Sequence, residues 1–201
     1  MGVEKGFKEE ERLVGEGGQV GEGDEGFSGL YQGLLTKRLQ SGIMLKKIIS
    51  GCQTGADIAG IDAAISYDFP YGGWVPKGRR TEAGPLPEKY QVQEMPTAGY
   101  PKRTEQNVID SDGTVIFVRG KLSGGSDLTR KLAEKHKKPW LHLDMLENTV
   151  DGATDILLAW LDEMGVEVLN VAGRSASKDG QIYAVVFQVI SLALQKLHPT
   201  V

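Results

Sequence analysis

Lys47-Ile-Ile-Ser-Gly-Cys-Gln-Thr-Gly-Ala-Asp-Ile-Ala-Gly-Ile-Asp-Ala-Ala-Ile-Ser-Tyr67 is the stretch that decides the fold. It opens on a short β-branched run, passes through a glycine-rich turn and continues with apolar residues at helical spacing. Residues 47–50 read as a short buried strand. Residues 56–67 read as a helix, with Ile58, Ile61 and Ile65 recurring on one face. A strand that feeds a helix through a glycine turn is one half of a βαβ unit.

The same alternation continues downstream. Residues 73–75 and 90–94 are candidate strands. Thr104 is placed to cap a helix running to about residue 111, with Asn107 three residues on. Residues 114–118, Thr-Val-Ile-Phe-Val, form an unbroken β-branched and aromatic run, as expected of a strand covered on both faces. A helix over 126–137 carries Asp127 in its first turn and Lys135, His136, Lys137 and Lys138 at its end, which complements the helix dipole. Pro139 blocks its continuation, and residues 140–143 form the next strand. A helix over 151–164 stops at Gly165, a strand follows over 166–171, and Ile182, Val186, Val189, Ala193 and Leu197 line one face of a closing helix. Strands alternating with helices predict an α/β, Rossmann-like three-layer sandwich with a mostly parallel sheet. Such sheets take ligands outside the carboxyl ends of their strands.

Composition limits the alternatives. The chain has 201 residues, 40% apolar and 25% charged, which suffices for one domain with a real core. Residues 1–43 hold 11 of the 27 glycines, with eight acidic and five basic residues. Such a stretch buries too little surface to offset its ordering entropy. It is expected to be a disordered, non-essential extension, with residues 44–201 as the Rossmann-like ligand-binding domain. That domain is nearly neutral, which argues against nucleic-acid binding. No run is apolar enough for a membrane span or an export signal. The single cysteine, Cys52, fits a reducing compartment, so a cytoplasmic location is expected. His136, His142 and His198 share no ligand spacing with Cys52, and no metal site is expected.

Five loops carry candidate chemistry. In the first, Gly51 and Gly55 allow close backbone approach, Gln53 and Thr54 add donors, and the helix start offers amides to an anion. A packed tight turn explains the glycines equally well. Asp57 suits ribose hydroxyls or acid–base work, as does Asp62, but Asp57 also simply favours a helix start. The second loop places Gly124, Gly125 and Ser126 at a helix start, with Thr129 one turn on. The third, long and rich in glycine and proline, concentrates Lys77, Arg79 and Arg80; it suits phosphate or is a solvated surface loop. Arg103, Thr104 and Asn107 form the fourth. Asn170, Arg174 and Ser175 form the fifth, a far wall or an ordinary turn. Cys52 sits near a helix start that favours its thiolate, yet no histidine is adjacent, and a small turn residue is the simpler reading. No catalytic residue is assigned.

Ser50-Gly-Cys-Gln-Thr-Gly-Ala-Asp57, Pro76-Lys-Gly-Arg-Arg-Thr-Glu82, Arg103-Thr-Glu-Gln-Asn-Val108, Gly124-Gly-Ser126 and Leu169-Asn-Val-Ala-Gly173 together resemble the molybdenum cofactor carrier family. This is a Rossmann-like group related to lysine-decarboxylase-like proteins and DNA-processing protein A. The resemblance covers residues 44–201. It implies a homodimer or homotetramer and a phosphate-bearing ligand, either the molybdenum cofactor (molybdopterin) or a nucleotide. The family's Pro-Arg-Glu-Ser segment after the last Asn-Val-Ala-Gly is Arg174-Ser-Ala-Ser177 here, without the glutamate. Related phosphoribohydrolases cleave nucleoside monophosphates and carry Pro-Gly-Gly-x-Gly-Thr-x-x-Glu. Aligned on Gly124 and Gly125, the third glycine is Asp127 and the catalytic glutamate is Lys131. A cation cannot stabilise an oxocarbenium-like centre as a carboxylate does, which leaves Asp57 or Asp62 for that reading. A nucleotide-sensing module that binds without chemistry is the third alternative.

Overall fold

The structure is a computed structural model that describes residues 45–199; the expected extension over 1–43 and the boundary at Met44 lie outside the described residues. Five strands form a parallel sheet: β1 (Lys47–Ser50), β2 (Tyr71–Gly72), β7 (Gly113–Val118), β8 (Trp140–Asp144) and β9 (Val168–Gly173). Between β2 and β7 the chain makes two small ladders. β3 (Trp74–Val75) pairs with β6 (Gln93–Glu94), and β4 (Arg80–Thr81) pairs with β5 (Gly84–Pro85) as a hairpin. The helices are α1 (Ala56–Ser66), α2 (Tyr100–Ile109), α3 (Gly125–Lys135), α4 (Val150–Met164) and α5 (Ile182–Leu197).

The main sheet runs β2-β1-β9-β7-β8. Its central strand is therefore its last in sequence. If β9 and α5 are counted first, the order becomes 3-2-1-4-5, that of the doubly wound dinucleotide-binding fold. The chain is that fold with its first strand and helix moved to the end. β9 pairs in parallel with β1 on one side and β7 on the other.

Burial follows the residue pattern. All six residues of β7 are buried. Val115 and Phe117 pack in the layer that includes Ala59 and Ala63 of α1, Leu157 of α4 and Val186 of α5. Ile116 and Val118 face the opposite layer, with Val108 of α2 and Leu132 and Ala133 of α3. Alternate residues of one strand thus feed two cores, which is why the run is continuously apolar. Removing Phe117 would cost about 3–5 kcal/mol, the usual range for a buried phenylalanine. At α4, Thr149 Oγ1 accepts the Gly152 amide, and Gly165 closes the helix in the left-handed region. The helix therefore ends where the sequence placed its stop.

Candidate functional site

Because the main sheet is parallel, the loops after β1, β7 and β9 gather at one end of it. Gly55 and Gly125 lie on that same end. A cavity of about 560 Å³ opens there, walled by the loops after β7 and β9, by α2 and by the start of α1. It sits between the carboxyl ends of β9 and β7, the crevice where a doubly wound sheet changes direction. Of the expected site residues it brings together Gln53, Asp57, Arg103, Thr104, Asn107, Gly124, Gly125, Ser126, Thr129, Asn170 and Arg174.

The wall after β7 is made of backbone. Gly124 caps α3 with φ 55°, a left-handed value that glycine tolerates without strain. The amides of Gly124, Gly125 and Asp127 have no hydrogen-bond partner among the described residues. A Cβ on Gly125 would meet nothing within 4 Å. The protein's own packing therefore does not require glycine at 125. The side chains around it are engaged locally: Ser126 Oγ accepts the Ser123 amide at 3.1 Å and donates to Ser123 O at 2.9 Å, and Thr129 Oγ1 donates to Gly125 O at 3.0 Å.

The wall from α2 is an ion pair. Arg103 Nη1 donates to Asp57 Oδ2 at 3.1 Å, and both residues are 7% exposed. Burial pushes the Asp57 carboxyl above the usual range, against the pull of Arg103. Gly51 does not line the cavity; a Cβ there would overlap the Arg103 guanidinium, so its glycine makes room for the pair. Arg103 Nε is buried without a partner. Arg174, on the loop after β9, likewise leaves Nε buried and unpartnered while Nη2 donates to Lys121 O at 3.0 Å. Among the described residues Asp57 is the one carboxylate lining the cavity, against Arg103, Arg174 and Lys178.

Other expected residues prove to be braces. Four amides of the stretch from β1 into α1 are already engaged: Cys52 N donates to Ser50 Oγ, Gln53 N to Asp57, Thr54 N to Gln53 Oε1 and Ala56 N to Arg174 O. Gly55, at φ 84°, lets this loop lie against the backbone of 174–176. Asn107 Oδ1 accepts the Trp74 amide while Nδ2 donates to Trp74 O and Arg103 O, fixing β3 to α2. Asn170 Nδ2 donates to Thr114 Oγ1 inside the sheet. Thr104 does not cap α2, because the helix begins a turn earlier, at Tyr100 after Gly99. Arg79 closes the third loop by donating to the carbonyls of Leu86, Pro87 and Tyr90, each at 2.9 Å. Lys77 and Arg80 line a separate, open concavity with Glu82. Burial, with Asp57 nearby, pushes the Cys52 thiol up to about 12, so the helix start does not activate it.

Sequence reasoning missed three residues. Tyr100 and Lys178 line the cavity; Pro101, at the first turn of α2, is the signal that would have moved the helix start onto Tyr100. The third is Glu82, on the tip of the β4–β5 hairpin. It accepts Thr54 Oγ1, and also Ser177 N at 2.9 Å and Ser177 Oγ at 2.6 Å, so one carboxylate ties the first, third and fifth loops together. Desolvation works against its charge. The hydroxyl and amide donors of Ser177 and Thr54 outweigh it and hold the carboxyl at about 2.

The permuted sheet order, the two helical layers and the cavity at the strand ends define a Rossmann-like α/β protein. Residues 48–194 match the model of the circularly permutated YpsA SLOG family, and the chain belongs to that family. Its permuted order agrees with that description. Among solved structures, the chain is 50% identical to the "Putative molybdenum carrier protein" of Syntrophus aciditrophicus SB, with a TM-score of 0.74, over 75% of this chain and 96% of that one. The family resemblance drawn from the five loops is thereby borne out. No curated protein matches the chain.

Proposed function

We propose that this chain is a binding protein whose cavity grips a small phosphate-bearing ligand, a molybdopterin-type cofactor or a nucleotide. The observation that carries this reading is the pair of guanidinium groups, Arg103 and Arg174, that line one cavity and each leave a buried Nε without a partner. Buried donors are normally satisfied, and an anion would satisfy both. The free amides of Gly124 and Gly125, at the positive end of α3, add donors of the kind that bind phosphate. The name of the related Syntrophus protein points to molybdenum as cargo. Among the described residues no cluster of three His, Cys, Asp or Glu could ligate a metal ion. Cargo of this kind would be held through its phosphate and oxyanion groups.

Hydrolysis of nucleotides is the less favoured reading. Lys131 stands where the hydrolase glutamate is expected and pairs with Asp127 at 2.8 Å. Asp62 accepts the hydroxyls of Tyr90 and Tyr183 outside the cavity, and Asp57 is tied to Arg103. Mass spectrometry of small molecules that copurify with the chain, followed by calorimetric titration, tests the proposal. Gly125→Val places a side chain before the free amides, at a position where a Cβ meets no protein atom within 4 Å, and is expected to weaken phosphate-ester binding at least tenfold with an unchanged melting temperature. Unaltered affinity would move the site elsewhere. Free base released from nucleoside monophosphates would make the protein an enzyme.

A further inference from the structure

The cavity is larger than its anion-facing wall needs. Its volume of about 560 Å³ lies within the roughly 300–1,000 Å³ of sites that enclose whole organic ligands. A bare phosphate or molybdate would leave most of it to water. Part of the lining is apolar, with Tyr100, Pro101, Leu128 and Ala172. Tyr100 is 43% exposed although it belongs to this lining. Nothing in the hydrophobic core uses its ring. Among the described residues its ring meets Arg103, whose Cζ stands 5.9 Å from the ring centroid. The same guanidinium that faces the anion therefore steadies an aromatic face at the cavity's rim.

Resting on the phosphate-binding reading above, we propose that Tyr100 selects the ligand. It stacks on the planar heterocycle of a phosphate monoester whose phosphate lies at Gly124 and Gly125. The substrate class is thus a phosphorylated purine or pterin, not a free oxyanion or a ringless sugar phosphate. An exposed ring backed by a cation is a sequence-tolerant platform, because every such heterocycle presents a π face. Tyr100 is a specificity residue and takes no part in any bond-making step.

Calorimetric titration of the full chain tests this with four probes: inorganic phosphate, ribose 5-phosphate, guanosine 5′-monophosphate and a pterin monophosphate. The two ring-bearing esters are expected to bind at least tenfold more tightly than ribose 5-phosphate. Tyr100→Leu, which keeps an apolar contact for Arg103 but no π face, should remove that difference, bringing the ring-bearing esters down to the affinity of ribose 5-phosphate. Tyr100→Phe should keep the difference. Equal binding of ringed and ringless esters to the unaltered chain, or a difference that survives Tyr100→Leu, overturns the role of Tyr100. In either case ribose 5-phosphate binding that is lost in Gly125→Val leaves the anion site standing. Failure of all four probes to bind overturns both readings together.

Discussion

The pair formed by Arg103 and Asp57 is held in place by an absent atom. Gly51 leaves the guanidinium its room, and a methyl group there would displace it. Removing one partner of a buried ion pair strands the other charge, at a cost of about 3–5 kcal/mol. Arg103→Ala is therefore expected to lose that much stability at pH 8, read from urea denaturation. Burial already raises the Asp57 carboxyl, and without the cation it rises further. A group with a raised folded-state pKa gains stability as pH falls through it, so the deficit should shrink at pH 5. A deficit that is the same at both values would show that Asp57 is not the stranded charge. The sequence made Arg103 and Asp57 candidates by their place at helix starts. It did not reveal that they meet, because the contact spans 46 positions and depends on the packing of α2 against the loop after β1.

At the scale of elements, the β4–β5 hairpin is fastened to the loops after β1 and β9 through the Glu82 side chain. A carboxyl held at about 2 instead of 4.5 contributes stability that is complete above pH 4.5 and fades as pH falls toward 2. Glu82→Gln should lower the urea midpoint at pH 7, and the gap from the unaltered chain should narrow as pH falls below 4.5 and close only as pH passes through about 2. A gap of the same size at pH 7 and pH 3 would assign the effect to lost shape instead of lost charge. The hairpin also marks the limit of what local sequence conveys. The continuous run 114–118 is legible because both faces of β7 are covered, and the stop of α4 is legible because Gly165 punctuates it. β2 went unread: Tyr71–Gly72 is two residues long and owes its place to pairing with β1. The expected strand over 90–94 shrinks to Gln93–Glu94, and the strand expected over 166–171 lies two residues later, because Val166 is buried in the core ahead of the ladder. Lys77, Arg79 and Arg80 were grouped by charge in sequence, yet Arg79 binds carbonyls and the other two face a different concavity.

For the whole molecule, the order of strands was the part hidden from sequence, since no residue type announces which strand sits in the middle. β9 joins two halves that otherwise share no ladder, β2 with β1 and β7 with β8. A chain stopped at residue 167 should therefore lose cooperative thermal unfolding, monitored by circular dichroism. A sharp transition in that chain would mean the halves can close without their shared neighbour. The β1–β9 pairing bridges residues about 121 apart in sequence, as the Lys46–Glu167 ion pair beside it does, and long-range pairings of this kind form slowly. During translation the middle plank emerges after everything it joins. Until residue 173 clears the ribosome, the newborn polypeptide presents two open strand edges of the kind that invite aggregation.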